Sequence, residues 1–263
     1  MFDPIGWFLS QGGGMLLVLA RVAGLTCAAP AWGTPGLDWR VRVGLAGTLG
    51  MVVYPVVGPG LIVPGDSAAL GRTGAAEFLV GASLGLVAAL IVAAARQAGD
   101  LVGLQAGLAP AAILDPDAGD GMNPVGHLYG LVALGTFLAL DGPLILIGVL
   151  AESYQAWPLG GPSLSSETVT QAFGLVGSAL ELALRIAAPV ALALMLAGLA
   201  VGLLGRAAPA LHALTLALPL RTVIGLSLVV IGLAALVATL VHAWEGLAER
   251  VLRLGAELTT GMP

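Results

Sequence analysis

The sequence predicts an all-α, polytopic membrane-associated protein built of helical hairpins, and three features carry that prediction. Of 263 residues, 58% are hydrophobic and 10% charged, against roughly 25% charged in soluble domains. Apolar runs of about 16 to 23 residues recur along the chain, near the length a helix needs to cross a hydrocarbon layer of about 30 Å. Glycine supplies 39 residues, about twice its usual share of roughly 7%, and small residues let membrane helices approach closely.

Charge and cysteine usage narrow the function classes. The net charge is −5 and all 10 bases are arginine, so there is no basic surface for nucleic acid. The lone cysteine, Cys27, rules out an internal disulfide and a cysteine-built metal site, and reads as a small buried residue. The start, MFDPIGWF, carries an acid and no base, unlike the n-region of a signal peptide. The N-terminus is therefore expected to be retained.

In chain order, residues 7–29 form the first expected helix, weakened by Gly12, Gly13 and Gly14, interrupted by Arg21 and ended by Pro30 and Gly33. Asp38, Arg40 and Arg42 beside Trp32 and Trp39 suit an interfacial connector. Residues 41–57 are a second run, closed by Pro55, Pro59 and Pro64. Residues 75–95 are the cleanest helix, opened by Glu77 and closed by Arg96. Its Gly81-Ala82-Ser83-Leu84-Gly85 matches a hydrolase G-x-S-x-G, which needs a strand-to-helix elbow; mid-helix it reads as a small-residue packing face.

Residues 125–140 are another helix, broken by the turn chemistry of Asp141-Gly142-Pro143. A run at 144–150 leads to an interfacial end at Glu152 to Pro158. Serines close the following loop and can cap a helix with Glu167 in its first turn. The helical pattern at 168–205 would extend roughly 57 Å, so it must project beyond a bilayer or bend, with Pro189 the expected bend. Glu181 and Arg185 stand in the favourable i, i+4 order, and are expected to pair or to lie outside lipid. Residues 206–221, fenced by two Arg and two Pro, read as a re-entrant or hairpin-tip segment. Residues 223–244 form the last long helix, followed by an amphipathic tail. The arginines do not sort to one side of a serpentine, so the positive-inside rule gives no orientation.

Chemistry-bearing motifs are scarce. There is no H-E-x-x-H, Walker A or G-x-G-x-x-G ahead of a helix, and His127, His212 and His242 fall in separate segments. Neither catalytic residues nor a cofactor are expected. Asp100, Asp141, Glu77 and Glu181 keep an ion-coupled transporter open as an alternative, and Ser83 keeps an intramembrane hydrolase open.

Residues 96–123, RQAGDLVGLQAGLAPAAILDPDAGDGMN, differ from the rest. Gly99, Gly103 and Gly107 recur at spacing four, a smooth stripe against which another backbone can lie. Arg96 and Asp100 can pair on the same helix. Gln105 sits between glycines, where its amide must find a partner. Leu108, Ala109, Pro110, Ala111, Ala112, Ile113 and Leu114 are apolar yet contain a proline, and turn-rich residues follow up to Met122. An apolar irregular loop at membrane depth is tolerated only when buried in protein or lining a cavity. A plug or lining element and an ordinary connector both remain open on the residues alone.

Several stretches, in order, resemble the FliR/SctT family of export-gate proteins from bacterial flagellar and type III secretion systems. They are Arg21 with Ala29-Pro30, then Arg40 and Arg42, then Ala98-Gly99-Asp100-Leu101-Val102-Gly103-Leu104-Gln105-Ala106-Gly107. After these come Asp115-Pro116, Asn123-Pro124, Asp141-Gly142 and Trp157-Pro158-Leu159-Gly160. The last are Leu203-Leu204-Gly205-Arg206-Ala207-Ala208-Pro209 and Leu218-Pro219-Leu220.

The resemblance implies one subunit of a helical export-gate assembly, 1–263 forming a single domain. Within it, 1–95 are N-terminal helices and 96–123 a packing helix plus plug loop. Residues 124–223 are central helices and a broken hairpin tip, and 224–263 the last helix and a polar tail. It further implies a non-enzymatic, pore-forming role at the inner membrane of the flagellar basal body. FliP-type, FliQ-type, FlhB-type and FlhA-type proteins would be partners, and unfolded flagellar proteins the cargo. The family's plug maps onto 108–122, which here lacks a phenylalanine, leaving Ile113, Leu114 and Met122 as its bulkiest members. A virulence-type counterpart is the alternative within the family.

Overall fold

The computed structural model describes residues 4–32, 38–57, 66–108, 123–156, 166–207 and 213–247. These residues form helices and turns with no strand, in the order α1 (Pro4–Ala28), α2 (Trp39–Val57), α3 (Ser67–Gln105), α4 (Pro124–Ala139), α5 (Gly142–Ala156), α6 (Ser166–Ala207) and α7 (Ala213–Glu245). Among the described residues four segments are long and apolar enough to cross a membrane: Trp39–Val57, Ser67–Gln105, Gly174–Leu203 and Pro219–Glu245. The α4–α5 pair makes a fifth if taken as one broken span. The protein is an all-α polytopic membrane protein.

Two elements depart from the expectations. Residues 75–95 and 96–107 are one helix, α3, which starts at Ser67 and ends at Gln105. Ala95, Arg96 and Gln97 are all good helix formers, so the charge at Arg96 marks the end of an apolar run and not the end of the helix. The long element expected at 168–205 is one helix, α6, with Pro189 inside it. The ring sits on the exposed side, where losing one backbone hydrogen bond leaves a carbonyl accessible to other donors. Within the stretch read as a hairpin tip, residues from Ala213 onward, Pro219 included, already belong to α7. Residues 208–212 and the tail from 248 lie outside the described residues.

The chain divides into two compact units, each made of separate stretches of sequence. The first takes residues up to 90, 141–175 and the C-terminal end from 245. In it, α1 buries Leu17, Val18, Arg21, Val22 and Leu25, the i, i+3/i+4 stripe of an amphipathic helix. The facing stripe of α3 is Glu77, Gly81, Leu84, Gly85 and Ala88, and that of α5 is Leu146, Val149, Leu150, Ser153 and Tyr154. α1 and the first part of α3 touch backbone to backbone. A Cβ at Gly24 would overlap Phe78 O, one at Gly81 would overlap Arg21 O, and one at Gly85 would lie 2.8 Å from Leu25 O. The G-x-S-x-G match is therefore a packing face, and the Ser83 hydroxyl donates to Val80 O of its own helix at 2.7 Å. α2 packs on α1, with Gly50 against the Leu19 side chain.

The second unit takes residues 91–140 and 176–244. Its core is Ile91, Ala94, Ala98 and Val102 of α3, Val125, Tyr129, Ala133 and Phe137 of α4, Ile186, Val190 and Leu194 of α6, and Val229, Leu236 and Leu240 of α7. The Trp244 ring packs 4.8 Å from Phe137, and its Nε1 donates to Thr136 Oγ1 at 3.2 Å. That bond satisfies the one polar atom of a buried indole.

α4 ends at Leu140, and Asp141 follows with φ 54. This left-handed position is open to Asp at modest strain. Its carbonyl then accepts from Leu144 N and Ile145 N at 2.9 and 3.0 Å, starting α5.

Candidate functional site

Two polar constructions stand out, one in each unit. The first surrounds Arg21, which is wholly buried on the core stripe of α1. Its Nε donates to Glu77 Oε2 of α3 at 2.6 Å, with both side chains at 0% exposure. Its Nη1 donates to Ser153 Oγ of α5 at 3.1 Å, and the guanidinium lies 4.2 Å over the Tyr154 ring. Tyr154 in turn donates to Val18 O at 3.3 Å, and Ser153 to Leu150 O at 2.7 Å. One buried cation thus ties three helices together. A buried charge of this kind is tolerable only when paired and hydrogen-bonded.

The sequence singled out neither Glu77 nor Ser153 as partners of Arg21. The available signal was that each stands on the apolar stripe of its helix, where a polar residue requires a partner.

The second construction holds the two ends of segment 109–122. α3 ends in a Schellman motif: Leu108 N donates to Gly103 O at 3.0 Å, Gly107 N donates to Leu104 O at 3.2 Å, and Gly107 has φ 78. Only glycine takes that conformation at no cost. Gly107 therefore stops the helix.

Gly99 and Gly103 do form such a stripe, against the start of α4. A Cβ at Gly99 would lie 2.6 Å from Val125 O, and one at Gly103 would overlap the Asn123 side chain. Asn123 is the N-cap of α4, accepting from Val125 N at 3.1 Å, and Pro124 occupies the first helical turn, both favoured there. Its Nδ2 donates to Asp100 O at 3.1 Å, fastening the segment's far end to α3.

The remaining carbonyls at the end of α3 are satisfied from α7. Arg221 Nε donates to Gln105 O and Thr222 Oγ1 to Ala106 O, the latter at 3.4 Å. The Gln105 side-chain Oε1 is buried without a hydrogen-bond partner among the described residues. Arg96 and Asp100, one turn apart on α3, stay within electrostatic reach of one another. Asp100 packs against Gly126, and a Cβ at Gly130 would lie 3.2 Å from Arg96 Nε. A second pair of glycines at spacing four, on α4, receives the two charged side chains separately, and sequence reasoning missed it. Glu181 and Arg185 are paired at 2.7 Å on an exposed face of α6. Leu108 is described and half-buried, whereas Ala109, Pro110, Ala111, Ala112, Ile113, Leu114 and Met122 lie outside the described residues.

Among the described residues no three His, Cys, Asp or Glu side chains are placed to hold a metal ion. The arrangement can join helices and fix the ends of a segment.

The family model for bacterial export proteins, family 1, matches residues 13–247. The chain belongs to that family. It is 32% identical to the flagellar biosynthetic protein FliR of Escherichia coli K12 over 93% of this chain and 92% of that protein. It is 31% identical to the FliR of Pectobacterium carotovorum over 86% and 84%. The Yop proteins translocation protein T of Yersinia pestis is 30% identical over 73% and 74%. Both constructions lie within the matched residues, from Arg21 at one end to Thr222 at the other.

Proposed function

We propose that this bacterial export protein is a structural subunit of the flagellar type III export gate in the inner membrane, passing unfolded flagellar proteins. The observation that carries the reading is a match to flagellar FliR proteins over most of the chain, within a family match at residues 13–247. The FliR proteins of Escherichia coli and Pectobacterium carotovorum are matched over a larger share than the translocation protein T relative, which favours flagellar cargo over the virulence-type counterpart. The subunit works as architecture and carries no catalytic residue or cofactor of its own. Its partners are FliP-type and FliQ-type gate subunits, with FlhB-type and FlhA-type proteins alongside. Segment 108–122 is the plug of the pore, held between the end of α3 and the cap of α4.

Disrupting the gene in its host tests the role. Loss of filament assembly and swimming, restored by the intact chain, is the expected outcome. Filaments that still form would end the flagellar reading, and loss of a virulence-type secretion activity instead would establish the counterpart. Deleting 109–113 in the assembled complex is expected to make membranes leak small ions. Conductance at background in an intact complex would remove the plug assignment alone.

A further inference from the structure

α3 ends with an unusually complete set of acceptor bonds. Val102 O takes Ala106 N at 2.8 Å, Gly103 O takes Leu108 N, and Leu104 O takes Gly107 N. Gln105 O takes Arg221 Nε and Ala106 O takes Thr222 Oγ1. A helix normally leaves its last carbonyls to water or to local turns. Here the final two are answered by side chains from a helix more than a hundred residues later in sequence, |i−j| = 116 in both bonds. The arginine also places a positive charge at the negative end of the α3 dipole. The contact is close-fitted: a Cβ at Gly225, one turn beyond Arg221 on α7, would lie 2.5 Å from Ala106 Cβ. Among the described residues the exposed guanidinium is bonded to a main-chain oxygen.

We propose that Arg221, seconded by Thr222, is a positioning residue that holds the last turn of α3, which Gly107 ends, against fraying and so steadies the point from which segment 109–122 departs. This inference rests on the plug assignment. Removing the guanidinium frees Gln105 O, and the last turn of α3 frays. Leu108 is released, and the segment gains slack at one end while Asn123 still holds the other.

The test uses the gate co-expressed with its FliP-type and FliQ-type subunits in Arg221→Ala, Arg221→Lys, Thr222→Val and 109–113-deleted forms. It reads ion leak per assembled complex. It also reads the rate at which Leu108→Cys, in a Cys27→Ser background, reacts with a membrane-impermeant maleimide. A charge-assisted bond holds a closed form on the order of tenfold or more. Arg221→Ala is therefore expected to raise both leak and labelling about tenfold at normal assembly yield, with Arg221→Lys recovering most of the difference. Thr222→Val is expected to give a smaller rise in both.

Wild-type leak and labelling in Arg221→Ala, with the deletion leaking, would overturn the inference and leave the plug assignment standing. If the deletion does not leak, the plug assignment falls, and labelling alone decides whether Arg221 fixes the end of α3. Should Arg221→Ala fail to assemble, Arg221→Lys and Thr222→Val carry the same two readouts. Wild-type labelling in Thr222→Val together with a lysine form that does not assemble would overturn the inference, because lysine keeps the charge and a donor.

Discussion

Replacing Arg21 by methionine strands the Glu77 carboxylate, which is fully buried, without its cation. Breaking a buried pair from one side costs about 3–5 kcal/mol, most of it the uncompensated charge. The Ser153 bond and the Tyr154 contact are lost in the same step, so they fall inside that figure and do not add to it. Glu77→Leu strands the guanidinium and should be equally severe. The double variant Arg21→Met with Glu77→Leu removes both charges and fills the volume with apolar atoms. Such replacements are often neutral or better, so it should cost under about 2 kcal/mol. The exposed pair Glu181–Arg185, at 63% and 72% exposure, is the internal control, since a surface pair contributes at most about 1 kcal/mol. The assay is thermal unfolding of a fluorescently tagged chain in detergent, followed by size-exclusion profile, for both pairs side by side. If Arg21→Met shifts the midpoint no more than Arg185→Ala, or if the double variant is as bad as the sum of the singles, the three-helix cluster is not what holds the first unit together.

Two further outcomes follow from the backbone. Gly81→Ala should destabilise by about 1–3 kcal/mol, because its Cβ meets Arg21 O. Gly44→Ala, with nothing within 4 Å, should be stabilising by up to about 1 kcal/mol as in any open helix position; equal melting of the two would refute backbone contact between α1 and α3. Asp141 at φ 54 should accept glycine with a gain of up to about 1 kcal/mol and lose stability on replacement by valine, and a valine variant that melts like wild type would contradict the left-handed turn.

Composition and run length were enough to predict a helical membrane protein, because lipid leaves the backbone almost no alternative. Helix ends were less legible. Arg96 looks like a boundary to a reader of hydropathy, yet the backbone responds to propensity and carries α3 on to Gln105. Pro219 carries a strong breaking signal, but one missing hydrogen bond in a long helix is a local cost that the surrounding turns absorb. At the candidate site the four-residue glycine spacing correctly marked close approach at Gly99 and Gly103. It could not separate those from Gly107, whose role depends on φ and not on spacing.

The i, i+4 order placed Arg96 and Asp100 on one face of α3, but nothing local announced that Gly126 and Gly130 on α4 would lie against them. Most of what was missed is long-range: Arg21 with Glu77 and Ser153, and Arg221 with Gln105. No local pattern carries a partner 56, 132 or 116 positions away.

The separation of those partners along the chain has a bearing on biosynthesis. Arg21 emerges from the ribosome 56 residues before Glu77 and 132 before Ser153. At about 5–20 residues per second, its guanidinium goes without its acid for several seconds and without its hydroxyl for on the order of ten. Through that interval α1 carries a naked charge in the middle of an otherwise apolar stripe, so it is a poor stand-alone span. Its settled place in the bilayer waits on the arrival of α3 and α5, and the order of synthesis makes the first helix among the last to be locked.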